Sequence, residues 1–121
     1  MTYESVVVRD SETVPGVKLT LAKMSFGRRM DLLREFRQLT KKAEFLAASE
    51  KPEDKMDAVL AQLEMDRVYV RWGLREVTGM EIDGEPATPE SVASEGPEGL
   101  FREVLAAIKA ECGLAEAERK N

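Results

Sequence analysis

The sequence predicts an α+β fold, and three observations carry that expectation. A β-branched run near the N-terminus is followed by an alternating segment. Two long stretches then repeat their apolar residues at helical spacing, and a turn-rich segment separates them from a last amphipathic helix. At 121 residues the length suits one domain able to bury its own core. The expected boundaries are 1–114 for that domain and 115–121 for a mobile, charged C-terminal tail.

The first strand is read in SVVVRD and the second in VKLTLAK, where Val17, Leu19 and Leu21 alternate with Lys18 and Thr20. Between them Pro15 and Gly16 provide turn chemistry, so the two form a hairpin. A lone hairpin is marginal, and its apolar face therefore needs a helix or a third strand.

Ser25 is placed to cap a helix over about Phe26 to Ala48. Leu32, Phe36, Leu39, Ala43 and Leu46 recur at steps of four and three and form its core seam, while Arg34, Arg37, Lys41 and Lys42 project elsewhere. Pro52, Glu53 and Asp54 open a second helix that ends at about Trp72, because a proline fits the first turn and acids complement the dipole there. It carries two apolar stripes. Met56, Val59, Leu60, Leu63, Val70 and Leu74 make one; Ala61, Met65, Val68 and Trp72 make the other, with Tyr69 at its edge. A helix apolar on two sides lies between layers or is shared with a partner, so Met65, Val68 and Trp72 are candidate protein-binding residues. The short connection places the two helices antiparallel.

Gly73 ends that helix, and Gly79 with Asp83-Gly84 marks turns around a short strand or hairpin at Val77, Met80 and Ile82. Thr88 caps a helical turn beginning at Pro89. After Gly96 and Pro97 the last helix gathers Leu100, Phe101, Val104, Leu105, Ile108 and Cys112 on one face, with Gly113 as its terminal glycine and Leu114 packing back.

Charge is unevenly distributed. Seven basic residues face two acids between Lys23 and Lys42, whereas eleven acids face two bases between Glu76 and Glu118. Opposite fields in one chain favour head-to-tail contact, within the fold or between copies, and two solvated faces of opposite sign are the plain alternative. Arg34, Arg37 and Lys41 accordingly join the candidate protein-binding set. The whole chain is acidic, at −5, and lacks any helix-turn-helix, zinc or ribonucleoprotein motif. A protein-facing or solvated basic face is therefore favoured over nucleic acid.

The residues offer no catalytic constellation. Histidine, the usual general base and zinc ligand near neutral pH, does not occur, and Cys112 is the single cysteine. That cysteine, on an apolar face, reads as a small hydrophobe. Asp83 and Glu85 supply too few oxygens for a calcium loop and read as turn chemistry. No cofactor and no metal is expected, and the chain is read as a non-enzyme. No apolar run reaches the roughly 20 residues of a membrane span, and Met1 is not followed by a leader-like pattern, so a soluble intracellular protein is expected.

Taken together, FGRRMDLLREFRQL, VYVRWGLREVTGMEIDGEPATPE, GPEGLFREVLAAIKAECGL and the terminal ERKN resemble proteins of tailed-phage and prophage morphogenesis clusters, of the tail assembly chaperone family. The elements most specific to the likeness are Trp72-Gly73-Leu74, Ile82-Asp83-Gly84-Glu85 and Glu118-Arg119-Lys120-Asn121. The resemblance implies a non-enzymatic, oligomeric protein of the host cytoplasm that binds the tape measure protein and helps deliver tail-tube protein. It also implies that residues after Leu114 root a frameshifted extension. Two other classes stand beside it: a structural tail or neck component kept in the virion, and a small nucleic-acid-binding regulator.

Overall fold

The computed structural model describes residues 1–112. Gly113, Leu114 and the expected tail at 115–121 lie outside the described residues. The chain is α+β, as expected: an N-terminal antiparallel hairpin, two long helices, small strands and a C-terminal helix. It divides into two compact units. Of the described residues, one unit joins Met1–Met24 to 69–112, and the other is Ser25–Val68.

In the first unit, β1 (Val6–Asp10) pairs antiparallel with β2 (Lys18–Ala22), from Val6 opposite Ala22 to Asp10 opposite Lys18. Gly16, at φ 84°, turns the connecting loop. The third strand that the hairpin needs is β3 (Leu74–Thr78), giving the order β1-β2-β3. Its register slips between Thr20 and Leu21: Thr20 faces Glu76 but Leu21 faces Leu74, which leaves Arg75 as an extra residue. That bulge explains an anomaly in the burial. Leu74 and Val77 are three apart, a spacing that puts them on opposite faces of a regular strand, yet both are buried.

A two-residue hairpin follows, β4 (Glu81–Ile82) with β5 (Glu85–Pro86). Asp83 and Gly84 both take positive φ, 53° and 82°, as a primed turn demands and as the Asp-Gly pair suggests. The helix α3 (Pro89–Ser94) starts from a reciprocal cap: Thr88 Oγ1 accepts from the Ser91 amide at 3.1 Å, and Ser91 Oγ accepts from the Thr88 amide at 2.9 Å. The helix α4 (Glu98–Glu111) packs on β2. Leu100, Val104, Leu105, Ile108 and Cys112 join Val17, Leu19, Leu21, Val70 and Leu74 in a single core, matching the face expected from spacing.

The second unit holds α1 (Phe26–Ala47) and the first part of α2 (Pro52–Gly73), the latter helix ending in the first unit. Ser25 Oγ caps α1 by accepting from the Arg28 amide at 3.2 Å. Residues 48–51 connect the helices, and Ser49 Oγ donates to Asp54 Oδ2 at 2.7 Å beside the start of α2. Further along, Thr40 Oγ1 lies 3.7 Å from Met65 Sδ, so the two helices form a hairpin. The seam expected on α1 is the inner one: Leu32 and Ala43 are buried, and Phe36, Leu39 and Leu46 are half-buried.

Candidate protein-docking face

The second unit has a thin interior. Its buried side chains are Leu32 and Ala43 on α1 and Ala58 and Ala61 on α2, three of the four being alanines. Large apolar side chains are outside instead. Among the described residues, every exposed large hydrophobic other than Met1, Tyr3 and Val8 belongs to this unit. Soluble monomers seldom leave such residues contiguous, and contiguous ones mark contact surfaces.

Helical spacing sorts them into two stripes and one outlier. On α1, Phe26, Met30 and Leu33 succeed one another at steps of four and three, on a different face from the buried Leu32 and Ala43. On α2, Met56, Val59, Leu60 and Leu63 form a stripe opposite Ala58 and Ala61. Phe45, 78% exposed, stands near the end of α1.

Of the residues singled out in the sequence, Arg34, Arg37 and Lys41 are brought together. With Leu33, Phe36 and Thr40 they line a shallow groove of about 500 Å³ on α1, apolar along its floor and cationic along its rim. Arg34 also pairs with Asp31 at 3.4 Å, an exposed contact one helical turn away that holds it weakly.

Met65, Val68 and Trp72 are placed differently. Each is half-buried: Met65 meets Thr40, and Trp72, in the first unit, packs against the core there. The exposed apolar surface of α2 is carried by Met56, Val59, Leu60 and Leu63, which spacing groups with the buried Val70 and Leu74. Phe26, Met30, Leu33 and Phe45 stand outside the expected seam of α1, yet the first three keep helical spacing, which is the signal of a second face on that helix.

The first unit has its own polar feature. Ser11, buried, donates its hydroxyl to Glu103 Oε1 at 2.6 Å and accepts from the Val14 amide at 3.0 Å. Glu103 Oε2 accepts from the Glu12 amide at 2.6 Å. Burial pushes the Glu103 carboxyl up, but the Ser11 hydroxyl and the Glu12 and Thr13 donors outweigh it together and hold the group below the usual carboxylate range. Arg9 pairs with Glu111 beside this network, and a cleft of about 510 Å³ lies between β1, β2 and α4. The carboxylate is spent on the loop between β1 and β2, so it ties that loop to α4.

Among the described residues no cluster of His, Cys, Asp and Glu has the size to hold a metal ion. Among them, too, no helix is long and apolar enough to cross a membrane. No family model matches the chain, and no curated protein or solved structure is significantly similar to it.

Proposed function

We propose that this chain is a non-enzymatic binding protein of the tail assembly chaperone type, which covers a long helical client, the tape measure protein, during assembly of a phage tail. The observation that carries the reading is the helical hairpin of Ser25–Val68, with large apolar residues outside and alanines inside. Such a surface is the complement of an amphipathic helix, which offers apolar anchors at intervals of three and four to a groove. A cationic rim at Arg34, Arg37 and Lys41 favours acidic flanks on that helix. The sequence resemblance supplies the identity of the client.

A long client that displays its own apolar stripe needs many weak contacts rather than one tight pocket, and repeated copies supply them through avidity. Co-expression with the tape measure protein is the direct test. The client is expected to stay soluble and to co-purify with this chain, and the chain is expected to be absent from mature particles. A client that aggregates regardless, with no co-purification, overturns the reading. Recovery of the chain from mature particles would place it among the structural tail components instead.

A further inference from the structure

We propose that the cationic groove of α1 in one copy of this chain docks onto the exposed stripe of α2 in a second copy, so that copies join head to tail. Both surfaces are apolar, and the charges that border them are opposite in sign. The groove offers Leu33 and Phe36 between Arg34, Arg37 and Lys41. The stripe offers Met56, Val59, Leu60 and Leu63, between 44% and 61% exposed. Along one edge of that stripe stand Glu53, Asp57 and Glu64, all exposed and all on the same helix face.

The spacing of the two charged rows agrees as well. Arg34 to Lys41 and Asp57 to Glu64 are both seven residues apart, which is about 10 Å of helix axis in each case. Two rows of equal length and opposite sign fix a register, and the apolar residues beside them supply the burial. The local pairs already present, Arg34 with Asp31 at 3.4 Å and Glu64 with Arg67 at 3.5 Å, are exposed contacts within one turn and give little resistance to exchange.

Because the groove and the stripe are different surfaces, the contact is not self-complementary. Each copy that uses its groove keeps its stripe available, and the assembly closes into a ring or grows as a chain. A protein that coats a long client gains from such a contact, but the inference rests on the protein alone and not on the client.

Sedimentation velocity of the full chain at rising concentration tests it, together with two charge reversals, Arg34→Glu/Arg37→Glu and Asp57→Lys/Glu64→Lys. Wild type is expected to associate, less so as salt is raised. Each reversal alone is expected to weaken association about 100-fold, since like charges then face each other. An equimolar mixture of the two is expected to regain it, because both contacts become complementary again. Circular dichroism verifies that each variant keeps its helices; if a reversal unfolds, Arg34→Gln/Arg37→Gln and Asp57→Asn/Glu64→Gln take its place, each expected to weaken association about tenfold. A monomeric wild type, a folded reversal that assembles like wild type, or a mixture that stays monomeric overturns the proposal. Because Arg34 and Arg37 also rim the face proposed for the tape measure protein, all of these outcomes are read on this chain alone, and client binding is measured separately with wild type.

Discussion

Gly73 lies against Ile108 so closely that a Cβ at that position would stand 2.7 Å from Ile108 Cγ2. The last residue of α2 therefore touches α4 through its backbone, and Ile108 fills the space where a side chain would be. Gly73 is not at positive φ, so the demand for glycine is one of space rather than backbone conformation.

Gly73→Ala should consequently destabilise the protein, although alanine is the better helix former by about 1 kcal/mol. Overpacking against Ile108 is expected to outweigh that gain, for a net loss of about 1–3 kcal/mol in urea unfolding. Ile108→Val in the same chain should recover part of the loss, so the double variant is less destabilised than the two single changes together predict. A neutral Gly73→Ala would mean that Ile108 moves aside at little cost.

The need for glycine at 73 is legible in the sequence only as a helix stop; its closeness to Ile108 is not, because spacing says nothing of which elements meet. The same limit explains the rest. The inner seam of α1, the core face of α4, the cap at Thr88 and the turn at Asp83-Gly84 all follow from local pattern, and each stands where that pattern puts it. β3 is harder to see, since the bulge at Arg75 breaks the alternation that marks a strand. On α2 the periodicity identifies two stripes but does not tell which of them the rest of the chain covers. Small residues at 58 and 61 are the available clue: alanines permit close approach of a neighbouring helix, whereas Met56, Leu60 and Leu63 do not.

Glu103 gives the fold a pH dependence. Its carboxyl is held below its ordinary value by the donors of the loop between β1 and β2, so the folded state prefers the ionised form more than the unfolded chain does. Its contribution is fully present above the ordinary glutamate range, near pH 4.3, and is lost as pH falls through the lowered folded value. Glu103→Gln should remove this part of the acid sensitivity, giving a shallower fall in thermal midpoint over that range. Equal slopes for both proteins would show that the loop does not depend on the charge.

The primed turn between β4 and β5 sets a local test. Gly84, at φ 82°, has open space where a methyl group would stand, so only backbone strain opposes a side chain there. Gly84→Ala should cost about 1–2 kcal/mol. Asp83→Asn should be nearly silent, because asparagine tolerates the same conformation. A silent Gly84→Ala would indicate that the small hairpin contributes little to folding.

The apolar residues of the helical hairpin divide into those that hold the fold and those that face outward, and the two groups should respond oppositely to mutation. Leu32 is 5% exposed, and Leu32→Ala is expected to cost about 2–5 kcal/mol by leaving a cavity. Its sequence neighbour Leu33 is 60% exposed and Leu60 is 53% exposed, so Leu33→Gln and Leu60→Gln should each change stability by no more than about 0.5 kcal/mol. If the outward stripes are contact surfaces, the same two changes should reduce binding of a helical partner while leaving the urea midpoint in place. Isothermal titration beside equilibrium unfolding separates these effects. A marked loss of stability in Leu33→Gln would mean that its side chain is covered in the folded monomer. Unaltered binding in both glutamine variants, with stability retained, would remove Leu33 and Leu60 from the docking face.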